Sequence, residues 1–202
     1  MSLAFRVKRL GIGIIKTVAR ITLKVGVGVA GYLAFDNHVA TLRRIEGPSM
    51  SPTINSREYL ESKFDDLEEF NPTREQNPNP DFILFWRKFQ LERGDIVLVV
   101  DPKNPNLYIT KRVLGLPGDT IVPLGFNATR KEPITVPESK VWVESDAGYG
   151  YRDSNLFGPI NLTDVQGKAD YCINVLNLSI RSLWSTPIPE HQSSRLTVNT
   201  PQ

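Results

Sequence analysis

One long apolar run dominates the first part of the chain. From Leu10 to Phe35 the residues are mostly apolar, interrupted by Lys16, Arg20 and Lys24. Those three cations are four residues apart, so a helix carries them as one stripe. Beyond Val25 the run is uncharged and rich in glycine and valine. A spanning helix needs about 20 predominantly apolar residues. A window over 18–38 meets that length, with Lys24 near one end able to snorkel and Asp36 near the other. Residues 1–17 then form a basic segment on the side where positive charge is retained. A basic, presequence-like helix lying on a membrane, or a soluble helix packed on the domain, are the alternatives.

Charge supports this division. Residues 1–35 hold six basic side chains (Arg6, Lys8, Arg9, Lys16, Arg20, Lys24) and no acid. The remaining chain has 18 basic against 22 acidic residues. A mildly acidic body behind a basic N-terminus argues against a nucleic-acid-binding domain and for targeting or membrane orientation. The single cysteine, Cys172, makes no intrachain disulfide and reads as a small core residue. With His38 and His191 far apart in sequence, no metal-ligand cluster is expected, and no cofactor is implied.

After the run, the apolar residues come in short stretches set off by turn residues. Ile96–Val100, Leu107–Leu114, Thr120–Val122, Ile134–Val136 and Val141–Glu144 read as strands. Such spacing predicts a mainly β, barrel-like domain over 41–178. Residues 61–90 read as an insertion: an acidic run, a proline- and asparagine-rich loop, then the aromatic group Phe82, Phe85, Trp86 and Phe89. A solvated loop is the default there, and an edge for partner docking or membrane contact is the alternative. Residues 179–202 are proline-rich and polar, and are expected to form a loose tail.

The candidate chemistry lies in two stretches. Glu46-Gly47-Pro48-Ser49-Met50-Ser51-Pro52 presents Ser49 between conformationally restricted neighbours. A serine hydroxyl is a weak nucleophile without a base. In the stretch Ile109-Thr110-Lys111-Arg112-Val113, alternation puts Lys111 on an apolar row with Ile109 and Val113. Burial there disfavours the ammonium. Lowering a lysine from ~10.4 to near 7 takes about 4–5 kcal/mol, within reach of desolvation. Arg112 does not deprotonate, so it supports the site without being its base. The expected pair is Ser49 and Lys111. Against it stand the ordinary fates of such residues, a turn serine and a snorkelling lysine.

Four ordered stretches strengthen the pair: Gly47-Pro48-Ser49-Met50-Ser51-Pro52-Thr53, Arg93-Gly94-Asp95-Ile96-Val97, Lys111 through Asp119, and Asp153 through Ile160. Together they resemble the boxes of type I signal peptidases, across about residues 45–168. Asp101-Pro102-Lys103-Asn104-Pro105 and Asp153-Ser154-Asn155 resemble the family's mitochondrial inner-membrane branch. Bacterial members more often have arginine at the position of Asn155, and endoplasmic-reticulum relatives have histidine at that of Lys111.

The resemblance implies a serine endopeptidase with Ser49 as nucleophile, Lys111 as base and the Ser49 backbone N–H as an oxyanion donor. It implies an extended substrate pairing beside Ser49. Substrates would be precursors carrying sorting signals, and the partner a sister catalytic subunit in a hetero-oligomer. One pass through the mitochondrial inner membrane would leave the domain in the intermembrane space. Asp153 and Ser154 would hold the site's shape, and Met50 would be an apolar plug beneath it. Three departures stand out. Gly47 has no hydroxyl where some relatives offer a second oxyanion donor. Tyr151 stands where many relatives have a serine bonded to the lysine, and its hydroxyl is a candidate substitute. Ser145-Asp146-Ala147 replaces the usual Gly-Asp-Asn. A catalytically silent assembly subunit, a bacterial-type signal peptidase and a LexA-like self-cleaving regulator are the rival readings. Residues 1–40 are too apolar for the DNA-binding module the last would need.

Overall fold

The structure is a computed structural model, and residues 22–55, 80–125, 131–148, 150–184 and 186–198 are described. The chain divides into two units, residues 1–39 and 40–202. In the first, a helix, α1, covers 22–38, and its Leu23, Val25, Val27, Val29, Tyr32 and Leu33 side chains are exposed. No helix among the described residues is long and apolar enough to cross a membrane. The reason is length: residues 22–38 rise about 25 Å, against a hydrocarbon core of about 30 Å. The spanning segment expected over 18–38 thus falls partly outside the described residues, as does the basic segment 1–17.

The second unit is built on an antiparallel sheet. Its path runs β1 (Ala40–Ile45), β2 (Asp81–Trp86), β9 (Val165–Asn174), β3 (Ile96–Asp101), β4 (Asn104–Gly115), β7 (Lys140–Glu144) and β8 (Ile160–Asn161). The eighth strand, β10 (Ser179–Ser182), pairs with the second half of β9. A smaller sheet joins β11 (Leu196–Thr197), β5 (Thr120–Ile121) and β6 (Ile134–Thr135). The domain is therefore mainly β, but the large sheet is open, ending at β1 and β8, where the sequence suggested a barrel.

β3 lies at the centre because it is apolar on both sides. Ile96 and Leu98 pack with Met50, Ile54, Ile83, Phe85, Ala169, Cys172 and Leu183. Val97 and Val99 pack with Val113, Val141, Val143, Ile160 and Val165. A continuous β-branched run is what a strand buried on both faces requires. Met50, directly after Ser49, is fully buried in the first of these clusters.

Two expectations are corrected. The aromatic end of the 61–90 insertion is no exposed edge. Phe82, Phe85 and Trp86 belong to β2, hydrogen-bonded between β1 and β9, and Phe85 is fully buried. Alternation of buried and half-buried residues along β2 gives it one core face. Residues 56–79 lie outside the description. Nor is the C-terminal stretch loose. Residues 179–198 form β10, the short helix α3 (Glu190–Ser193) and β11. Gln192 and Arg195 are buried, and Arg195 forms an ion pair with buried Glu144. Proline and polar content concealed these contacts, because each polar group has a specific buried partner.

Close packing of β9 on β2 makes one glycine necessary. A Cβ at Gly167 would stand 2.9 Å from Phe85 Cβ and 3.1 Å from the Trp86 carbonyl oxygen. A Cβ at Gly47 would meet nothing within 4 Å. Gly167→Ala should therefore cost about 1–3 kcal/mol of stability by overpacking. Gly47→Ala should leave thermal unfolding of the full chain in detergent unchanged within about 0.5 kcal/mol.

Candidate active site

Ser49 lies in a single 3₁₀ turn, Pro48–Met50, just beyond the edge strand β1. Pro48 at the first helical position presets the turn. Three bonds pin the segment. Ala147 N–H donates to the Ser49 carbonyl at 3.1 Å. Asn55 Nδ2 donates to the Ile45 carbonyl at 2.8 Å and to the Gly47 carbonyl at 3.2 Å. Asn55, at φ 53°, adopts the left-handed conformation that asparagine tolerates.

Lys111 arrives from β4, opposite Val97 of β3. Its Nζ is 2.9 Å from Ser49 Oγ, across 62 residues of sequence. Lys111 is 3% exposed. Burial lowers its pKa to about 8, against an upward pull from Asp153, then Asp146 and Asp101. That is one unit short of the value near 7 posited from sequence. At pH 7 about one amine in ten is neutral.

Arg112 points to the opposite side of β4, as alternation requires. Its guanidinium grips Asp146 with two bonds, Nε to Oδ1 at 2.7 Å and Nη2 to Oδ2 at 2.6 Å. It also donates to the Gly94 and Thr186 carbonyls and to Thr53 Oγ1. Both ion-pair side chains are fully buried. Thus one arginine ties the turn before β3, the turn after β7 and the segment following Ser49 to the strand that carries Lys111.

Asp153 caps the short helix α2 (Ser154–Phe157), accepting from Asn155 N–H at 3.0 Å. Its other oxygen accepts from Ser145 N–H at 3.0 Å. Burial pushes its pKa up, and these backbone bonds oppose that rise. Ser154 Oγ accepts from Val143 N–H at 3.0 Å, tying the same turn to β7. Asn155 Oδ1 accepts from Leu124 N–H at 2.7 Å, a neutral bond at the position where bacterial relatives have arginine. Tyr151 lines a small cavity of about 110 Å³ with Leu124, Lys131, Asn155 and Leu156.

Sequence reasoning noted Ser145 only as a departure from the usual glycine, and overlooked Asn55 and Gln192, whose Nε2 donates to the Ser145 carbonyl at 2.8 Å. Asn55 had a signal, an asparagine shortly after Pro52. Gln192 had none, because its role depends on a fold that brings residues 47 apart together.

On this β scaffold a half-buried serine is hydrogen-bonded to a buried lysine. Residues 15–125 match the signal peptidase, peptidase S26, family model, and the chain belongs to that family. It is similar to two proteins named mitochondrial inner membrane protease subunit 2. Against the one from Danio rerio it is 35% identical over 139 residues, 68% of this chain and 66% of the relative. Against the one from Mus musculus it is 35% identical over 138 residues, 67% of this chain and 68% of the relative. A crystal structure of signal peptidase I from Enterococcus faecalis V583 aligns with 40% of this chain and 97% of that one, at TM-score 0.32 and 23% identity.

Removing Asp146 would strand a buried guanidinium. Asp146→Ala should destabilise the fold by about 3–5 kcal/mol, read as a large fall in melting temperature.

Proposed function

We propose that the chain is a membrane-anchored serine endopeptidase, acting as subunit 2 of a mitochondrial inner membrane protease and removing sorting signals from precursors. The observation that carries this reading is the 2.9 Å contact between Ser49 Oγ and the buried amine of Lys111. Neutral Lys111 takes the Ser49 proton while Oγ attacks the scissile carbonyl. The carbonyl electron pair moves onto oxygen, where the Ser49 N–H donates. That group lies in the first turn of a helix, where N–H groups lack intrahelical acceptors. Collapse breaks the C–N bond, and the leaving amine takes the proton back from Lys111. Water then hydrolyses the acyl-enzyme.

Edge strand β1 favours an extended substrate, since it ends the large sheet next to Ser49. Main-chain pairing of this kind gives affinity with modest demands on side chains. The relatives' names support an inner-membrane location, and the basic, acid-free N-terminus favours one pass with the domain in the intermembrane space. A sister catalytic subunit is the expected partner, with inner-membrane lipid around the anchor.

Comparing N-termini of membrane-sorted precursors in cells carrying wild type, Ser49→Ala or Lys111→Arg tests the reading. Both variants should leave the same subset uncut, with processing reduced at least about 10³-fold. Normal processing by Ser49→Ala at wild-type protein level would instead identify a silent assembly subunit. In carbonate extraction the chain should stay with the membrane pellet, and its release would sink the anchor.

A further inference from the structure

One buried hydroxyl near the reacting pair has no task. Ser145 follows the last residue of β7 and is 1% exposed. Its main chain is fully engaged, with N–H to Asp153 and carbonyl to Gln192. Its Oγ is buried and without a hydrogen bond. Serine hydroxyls in such places are rarely left idle.

Register shows which way it faces. Arg112 lies opposite Glu144, and Val113 opposite Val143. Alternation then puts Val113, Val143, Lys111 and Ser145 on one side of the β4–β7 pair. Arg112, Glu144 and Asp146 take the other side, and the Arg112–Asp146 bonds agree. One further step of the register sets Ser145 against Lys111. Just beyond it, Ala147 N–H holds the Ser49 carbonyl. By register Ser145 thus falls across from the base, two residues before the one whose N–H anchors the nucleophile.

The reaction creates a need for such a group. A protonated lysine has three N–H donors and no acceptor. With Lys111 itself buried, those donors need oxygens close at hand. Ser49 Oγ serves one of them before attack, and acylation turns that atom into an ester oxygen, a poorer acceptor. Each Asp153 oxygen already accepts one backbone N–H.

We propose that Ser145 is the positioning residue for Lys111, its Oγ accepting a hydrogen bond from the ammonium formed when Lys111 deprotonates Ser49. This rests on the Ser49–Lys111 reading given above. Ser145 itself neither gains nor loses a proton; the transferred proton moves from Ser49 Oγ to Lys111 Nζ and on to the leaving amine. The arrangement also accounts for two departures noted in the sequence. A tyrosine stands at 151, where many relatives have the serine that meets the lysine, and a serine stands at 145, where glycine is usual.

An acceptor for the ammonium raises the lysine's proton affinity, so its loss lowers the pKa further. Ser145→Ala should move the Lys111 midpoint down by about one pH unit relative to wild type, the tenfold effect of one bond to a charged group. The carboxylates acting on Lys111, Asp153 and Asp146 after β7 and Asp101 at the end of β3, are unchanged in that variant. Lysine ¹³Cε resonances of the full chain in detergent micelles, titrated by NMR, read this midpoint without a substrate; Lys111→Arg assigns the signal. In parallel, cleavage of a precursor left uncut in Ser49→Ala cells is followed against pH. Its high-pH plateau should fall about tenfold and its acidic limb should shift with the NMR midpoint. Near pH 7 the two changes partly cancel, so an assay at that pH alone understates the effect. Ser145→Thr, which keeps a hydroxyl, should restore both.

Unaltered midpoint and plateau in Ser145→Ala, a lower plateau with an unmoved midpoint, or equal losses in Ser145→Ala and Ser145→Thr would each overturn the proposal. Failure of the dyad itself looks different: Ser49→Ala would cut precursors normally, whatever Ser145 did to the lysine titration.

Discussion

Burying an amine is the constraint around which this domain is arranged. A lysine beside Val97 and Val113 loses its water, and loss of water is what brings its pKa down toward neutrality. Three carboxylates oppose the effect and hold the value near 8, above the range sequence reasoning had in view. In the proposed reaction the compromise would suit a base that must also be a good acid for the leaving amine, since a pKa near working pH serves both transfers.

Neighbouring residues on β4 show two ways to bury a cation. Lys111 faces a sparse side, where one serine oxygen meets it, and it is free to lose its proton. Arg112 faces a side crowded with acceptors, two from Asp146 and others from Gly94, Thr186 and Thr53. A guanidinium cannot shed its charge, so it must be satisfied in full. The same two-residue period of a strand thus separates chemistry from scaffold: one face holds the labile amine, the other a permanent ion pair that locks the turns around it.

Local features of the site were legible in the sequence because they rest on local rules. Alternation around Lys111 and the proline-bounded turn at Ser49 both depend on residues within a few positions of one another. The mainly β class followed from short apolar stretches and turn residues. The open sheet did not, because strand order depends on pairings such as β2 with β9, about 90 residues apart. The role of 179–198 was hidden for a related reason. Glu144 and Arg195 look like ordinary surface charges until the fold buries them together. The aromatic group at 82–89 shows the same limit: period-two burial was present in it, but its proline-rich approach made it look like a loop.

Asn55 and Asp81 exchange two hydrogen bonds, each main-chain N–H donating to the other's side chain at 2.9 Å. They bracket residues 56–79 and fasten the exit from the serine turn directly to the start of β2. Such a clasp holds the two ends of the enclosed stretch together whatever its length. Segments of very different length could be spliced between those two residues at small entropic cost, which grows only slowly with loop size. In a lineage of related enzymes, that is the place where new sequence can be tried out while the catalytic frame stays as it is.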